Sequence, residues 1–231
     1  MSLCQSECRR FESDYPLQGY FLTMHDTALM FGDMFFKTYL KHIANPTIID
    51  IGSLDINGSL RSVAPQGSQY LGLDLDHGKG VDVVLSDPYK YPIQDQQADA
   101  VVCSSCLEHT DMFWISFLEI LRITKPTGVI YLQMPSQGEV HRYPIDSWRF
   151  YPDSGRSLEK WARYNQIPSL LLESFIGARQ ADQWRDCVMV FVKDEQYQSM
   201  YTDRIAFDYS DYANLTLYGD KELIRFTADI S

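Results

Sequence analysis

The sequence predicts a doubly wound α/β fold, and three observations lead there. Short β-branched, apolar runs alternate with helical patterns from residue 47 onward. The first run, Thr47–Ile51, is apolar except for Asp50 and stops at Gly52, so an acidic residue and then a glycine mark the carboxyl end of a buried strand, the place where such sheets take a nucleotide-like ligand. A chain of 231 residues, 45% hydrophobic and 22% charged, has the composition and length of one substantial core with additions.

The elements follow in order. Residues 1–20 are polar and mixed and read as a poorly ordered lead-in. From His25 to Ile43 the positions Leu29, Met30, Met34, Phe35, Tyr39 and Leu40 recur at helical spacing, with Asp26 or Thr27 as cap and Asn45-Pro46 as terminator; this reads as a packing helix rather than a lid. After the first strand, residues 59–63 have room for a short helix only. A second strand covers 69–75, His77-Gly78-Lys79-Gly80 turns the chain, and 81–85 is a third strand. That connection is shorter than the dozen or so residues a parallel crossover normally takes, so the third strand is expected to be short or its loop to run along the sheet edge. Residues 98–103 form a fourth strand, 111–123 a helix with Phe113, Phe117, Leu118 and Leu121 on one face, 125–128 a turn, and 129–134 a fifth strand closed by Pro135. Residues 137–152 are a loop, 157–164 a helix, and 170–176 with 187–192 a hairpin-like pair of strands. The tail from Gln196 is rich in Tyr and Phe and carries no motif; it suits covering the core or a partner subunit, and a homodimer is among the expectations. The chain thus divides into an N-terminal helical extension at 1–45, the α/β domain at 46–195 and an aromatic-rich extension at 196–231.

A formal net charge of −11 argues against a nucleic-acid partner, which relies on a basic face. No apolar run approaches the length of a membrane span and no signal peptide is visible, so no membrane partner is expected. Five cysteines without a repeating framework suggest a reducing, cytoplasmic setting.

Two stretches are dense in chemistry: Asp50-Ile51-Gly52-Ser53-Leu54-Asp55-Ile56-Asn57-Gly58-Ser59, and Tyr143-Pro144-Ile145-Asp146-Ser147-Trp148-Arg149-Phe150. Together with Leu107-Glu108-His109 after the fourth strand, they resemble the class I S-adenosylmethionine-dependent methyltransferases, over roughly residues 46–155. The resemblance implies a Rossmann-like, mostly parallel seven-stranded sheet with a terminal antiparallel strand, and S-adenosylmethionine as cofactor across the carboxyl ends of the first strands. Asp50, Gly52 and Ser53 would face its methionine end, Asp74 its ribose hydroxyls with Leu75 beside it, Asp87 its adenine, and Ser104 and His109 its sulfonium. Asp76 is the alternative to Asp74, and an Asp-Pro turn the bland reading of Asp87. The alternate glycines usual after the acidic residue are replaced here by Leu54 and Ile56.

In the later stretch, Tyr143 and Trp148 suit stacking on a sugar or aromatic acceptor, and Arg149 suits a carboxylate or phosphate. The competing reading pairs Asp146 with Arg149 and packs Trp148 into the core. His141 follows the fifth strand and suits a general base. Cys103, Cys106 and His109 have metal-ligand spacing, but Cys103 belongs to an apolar strand and no further ligand cluster is evident, so no metal is expected. The expectation is a cytoplasmic methyltransferase acting on a small molecule or glycan precursor, at oxygen as the resemblance suggests. A non-catalytic Rossmann-like module and a nicotinamide-dependent oxidoreductase are the rivals; the latter lacks its Gly-x-Gly-x-x-Gly turn.

Overall fold

The computed structural model describes residues 26–180 and 184–229; the lead-in expected at 1–20 and the predicted helix start at His25 lie outside the described residues. The strands are β1 (Thr47–Ile51), β2 (Gln69–Asp74), β3 (Val83–Val84), β4 (Ala98–Ser104), β5 (Thr124–Gln137), β6 (Leu170–Gly177), β7 (Arg185–Val192) and β8 (Tyr212–Leu217). The helices are α1 (Asp26–Tyr39), α2 (Phe113–Ile123), α3 (Pro152–Tyr164) and the single turn α4 (Ile205–Asp208). All strands form one sheet in the order β3-β2-β1-β4-β5-β7-β6-β8. The pairings from β3 across to β5 are parallel, and β7 is inserted antiparallel between β5 and β6. The mixed, mostly parallel sheet is as expected, but it has eight strands rather than seven. The motif-free tail adds to it: β8 pairs antiparallel with β6 and forms the far edge.

Strand alternation splits the core into two layers. Ile49 and Ile51 of β1 pack with Phe117, Ile120 and Leu121 of α2 and Leu158 and Ala162 of α3. Ile48 faces the other way, with Phe31, Phe35 and Tyr39 of α1 and with Tyr201, Ile205 and Leu215 of the tail. The helix at the start of the chain is therefore a packing element, covering one whole face together with the tail. No helix among the described residues is long and apolar enough to cross a membrane.

One expectation holds and two depart, each for a physical reason. As expected, the third strand is short, Val83–Val84, opposite the last two residues of β2. The chain then needs to climb back only a short way, which a loop without a helix can do. That loop lies on Gly72: a Cβ there would sit 2.1 Å from the Gly80 carbonyl oxygen, so only glycine admits the return. Lys125 to Gly128 do form an excursion, but inside β5: Thr124 pairs with Ala98 and Val129 with Ala100. Pro135 does not close the strand either. Pairing with β4 stops at Gln133, so beyond it a proline on that edge loses no ladder bond, and β5 continues against β7 to Gln137.

One buried carboxylate fastens the tail. Glu173 of β6 is fully buried and accepts hydrogen bonds from Tyr39 Oη at 2.6 Å, Ile205 N at 2.7 Å and Ala206 N at 3.1 Å. It thus joins the sheet, α1 and α4 at one point. Replacing Glu173 by Ala strands three buried donors and should lower unfolding stability by about 2–4 kcal/mol. Urea denaturation of the variant checks this; a loss below about 0.5 kcal/mol would mean that the tail is held by apolar contacts alone.

Candidate functional site

The strand order reverses at β1: β2 and β3 lie to one side and β4 and β5 to the other. In open α/β sheets ligands bind in the crevice at the carboxyl ends of the strands flanking such a reversal, here β1 and β4. Gly52 sits on its floor with φ of 79°, and a Cβ on it would lie 2.5 Å from the Cys106 Cβ. Glycine is required here because the loop after β1 lies directly on the turn after β4. The Gly52 and Ser53 N–H groups donate to the Leu73 carbonyl at 2.9 and 3.1 Å. Ser53 is buried, and its Oγ has no hydrogen-bond partner among the described residues.

Asp50 points away from the crevice floor, toward the α1 layer. It is 5% exposed and accepts from Tyr70 Oη at 2.7 Å, while the Arg61 guanidinium lies 4.8 Å from the Tyr70 ring centre. Burial pushes the Asp50 carboxyl up to about 7, against the opposing pull of Tyr70 and Arg61. Asp74, at the end of β2, is held by its neighbours' main chain: Oδ2 accepts from Leu54 N at 3.0 Å and Oδ1 from Asp76 N at 3.1 Å. Leu75 beside it is 53% exposed. Asp87 is exposed and accepts from Tyr89 N at 2.8 Å, the turn contact of the bland reading.

On the other side of the crevice, Ser104 Oγ donates to Gln133 Oε1 at 2.6 Å, and Ser105 turns the chain with φ of 50°. A single 3-10 turn, Leu107–His109, follows. It buries Glu108 completely, with neither carboxylate oxygen bonded to another described residue. Burial, with Asp186 and Asp146 nearby, pushes this carboxyl up to about 8. His109 Nδ1–H donates to the Ile145 carbonyl at 2.5 Å, and its Nε2 lies 3.7 Å from Glu108 Oε1.

The loop after β5 supplies the roof. The Ser147 N–H donates to the Glu108 carbonyl at 2.8 Å and the Phe150 N–H to the Pro135 carbonyl at 3.0 Å, tying the loop to both strands' ends. Within it, Asp146 receives both arms of the Arg149 fork, at 2.5 and 2.8 Å, and the His141 N–H at 2.8 Å. The guanidinium holds the Asp146 carboxyl down to about 2. His141 is thereby set edge-on to His109, ring centres 4.8 Å apart, and 4.6 Å from the Trp184 ring centre. Burial and the neighbouring His109 lower the His141 pKa below its ordinary value.

Of the sequence-derived candidates, the structure brings His109 and His141 into ring contact, while Asp50 turns to Tyr70 and Asp87 to the turn at Tyr89. Trp148 and Arg149 have the contacts of the competing reading: the indole donates to the Thr110 carbonyl at 3.0 Å and packs on Phe113 and Trp114, and Arg149 is committed to Asp146 and to the Glu139 and Trp148 carbonyls. Tyr143 stands 57% exposed. Sequence reasoning missed Tyr70, Gln133 and Trp184 as partners of Asp50, Ser104 and His141. Tyr70 reaches Asp50 because Asp50 pairs with Gly72, so Tyr70 is its diagonal neighbour on the same face; strand register carries that signal and a linear motif does not.

Comparison with known proteins agrees with this geometry. Residues 38–132 match the family described as a methyltransferase domain. An uncharacterized methyltransferase of Mycobacterium leprae is 28% identical over 137 residues, 53% of this chain and 49% of that protein. One from Mycobacterium bovis is 27% identical over 134 residues, 53% of this chain and 52% of its own length. The chain thus spans about half the length of the curated relatives it matches. Among solved structures, the Burkholderia thailandensis 1,6-didemethyltoxoflavin-N1-methyltransferase with bound S-adenosylhomocysteine superposes with a TM-score of 0.54 at 15% identity, covering 73% of this chain and 79% of that one. The cyclase SpnF superposes at 0.55 with 13% identity over 77% of this chain and 86% of that one. At such identities the likeness speaks for the fold.

The Asp146 anchor has a pH signature. A carboxyl held at about 2 when folded, against about 4 when unfolded, stabilises fully above about pH 4 and stops stabilising as pH falls through about 2. Asp146→Ala should accordingly cost about 1–3 kcal/mol at pH 7. Denaturation at pH 7 and near pH 2 should show the gap between parent and variant closing at the acid end.

Proposed function

We propose that this chain, of which residues 38–132 match a methyltransferase-domain family model, is a cytoplasmic S-adenosylmethionine-dependent enzyme that methylates a small molecule or glycan precursor at oxygen. The observation that carries the reading is the reversal of strand order at β1, with Asp74 ending β2 on one side and the Glu108, His109 and His141 cluster following β4 and β5 on the other.

The residues suit the cofactor. Two main-chain N–H groups orient the Asp74 carboxylate and leave it lone pairs for both ribose hydroxyls. Exposed Leu75 offers the base an apolar surface, and Asp87 lies one strand further out on the same side. Ser53 Oγ, buried and without a partner among the described residues, has hydrogen-bonding capacity for the methionine end. Asp50, bonded to Tyr70, supports the turn bearing Gly52. Ser104 and His109 border the methyl-bearing centre. The cofactor supplies an electrophilic methyl group on a sulfonium. The chain's tasks are to line up the acceptor oxygen with it, to keep water away and to take the acceptor's proton. His141, kept neutral at pH 7 by burial, accepts that proton, and exposed Tyr143 offers a ring for the acceptor. In this reading Trp148 and Arg149 shape the loop that carries both.

Calorimetry with S-adenosylmethionine, S-adenosylhomocysteine and NAD tests the class directly: the first two should bind and NAD should not. Binding of NAD alone would move the chain to the oxidoreductases. Asp74→Ala should weaken S-adenosylhomocysteine by about 10- to 100-fold, the equivalent of about 1–3 kcal/mol. With the acceptor in hand, His141→Ala should lower turnover by roughly 10²–10⁴-fold at unchanged cofactor affinity. Turnover of the parent should fall as pH drops through a value below the usual 6.5 of histidine. Near-parent turnover in the variant would remove His141 from the proton step.

A further inference from the structure

We propose that Glu108, His109 and His141 form a binding site for a divalent transition-metal cation. One ligand atom from each lies within 4.8 Å of the others. Bonds of about 2.1 Å to one ion place ligand atoms about 3–3.5 Å apart, so the set closes on an ion by shifts of about 1–2 Å. Two imidazoles and one carboxylate suit zinc, manganese, iron or cobalt better than magnesium or calcium, which prefer oxygen.

A second observation points to a ligand. Glu108 is completely buried, and both of its oxygens are without a hydrogen bond from another described residue. A carboxylate in that state is costly, and a cation relieves the cost. The outer contacts are those of a metal site as well. His109 Nδ1–H is spent on the Ile145 carbonyl, and His141 Nδ1 faces the Glu139 carbonyl and Asp146 Oδ2, each at 3.4 Å. Each ring then offers Nε2, with its tautomer set from behind. The thiols of Cys103 and Cys106, which have the metal-ligand spacing in sequence, are outside this set.

The inference rests on the methyltransferase reading only for its consequence. A cation here binds the acceptor hydroxyl and makes it more acidic. The O–H bond then breaks with its proton passing to solvent, the oxygen forms a bond to the methyl carbon, and the carbon–sulfur bond breaks with its electron pair going to sulfur. His141 is a ligand in the loaded protein and a base only in the metal-free one.

Zinc titration by calorimetry on the full chain, stripped with chelator and dialysed, needs neither acceptor nor activity. One equivalent should bind with Kd at or below about 10 µM. His141→Ala and Glu108→Gln should each weaken it at least about tenfold, and a Cys103→Ser, Cys106→Ser double variant should bind like the parent. S-adenosylhomocysteine affinity, unchanged in His141→Ala, certifies that this variant is folded. No saturable uptake, uptake that survives both ligand substitutions, or uptake lost only with the cysteines would each overturn the site. Failure to take up zinc while S-adenosylhomocysteine binds leaves the methyltransferase reading standing; zinc uptake without S-adenosylhomocysteine binding does the reverse.

Discussion

The carboxylate of Asp146 sets the geometry of the loop after β5. It takes three donors at once, two from the Arg149 guanidinium and one from the His141 main chain. Those bonds fold the loop after β5 back on itself, so that residues otherwise remote along the chain face each other across the crevice. The fork is bidentate and charge-assisted, which fixes direction as well as distance. Because the loop is also tied to the Glu108 carbonyl through the Ser147 N–H, the imidazoles of His109 and His141 meet at a defined angle rather than by chance. The angle between the two imidazoles is thus fixed by an acid–base pair that lies behind them.

The opposite wall is set by a steric constraint. The chain returns from β2 to β3 without a helix, and the returning main chain runs over Gly72. Asp82 completes that return: its carboxylate accepts from the Gly72 N–H at 2.7 Å while its own N–H donates to the Gly72 carbonyl at 2.9 Å. The turn bearing Gly52 to Asp55 is packed beneath, with the Asp55 N–H donating to the Lys79 carbonyl at 2.8 Å. Where family members usually place further glycines after the acidic residue, Leu54 packs toward Gly78, whose added Cβ would lie 2.4 Å from it. Glycines at 72, 78 and 80 give this turn room for the larger Leu54 and Asp55.

How much of this could be read from the sequence depends on range. Strands β1, β2 and β4, helices α1 and α2 and the β6–β7 pair follow from period and punctuation, which act over a few residues. The tail's strand was not legible, because Tyr212–Leu217 acquires its role only by pairing with β6, and nothing local announces that partner. The same divide runs through the site. Gly52, Asp74 and the Leu107–His109 segment sit at strand ends that the pattern locates. Tyr70 beside Asp50 and Trp184 beside His141 depend on register and on a loop's path. The exclusion of a metal came from weighing Cys103 and Cys106 with His109; the cluster that forms instead joins residues of two different loops, a combination that spacing along the chain does not encode.

The added eighth strand also governs how the molecule meets its neighbours. An open sheet ends in rows of unpaired N–H and C=O groups that template pairing with another chain. Here one end is β3, only two residues long, too short to template anything. At the other end β8 covers β6, and its own outer edge is in turn engaged by Ile224, which bridges to Leu215. An aromatic tail without a motif thus acts as a gatekeeper against edge-to-edge aggregation. It protects a sheet whose central strands are almost wholly apolar and would be hazardous if exposed.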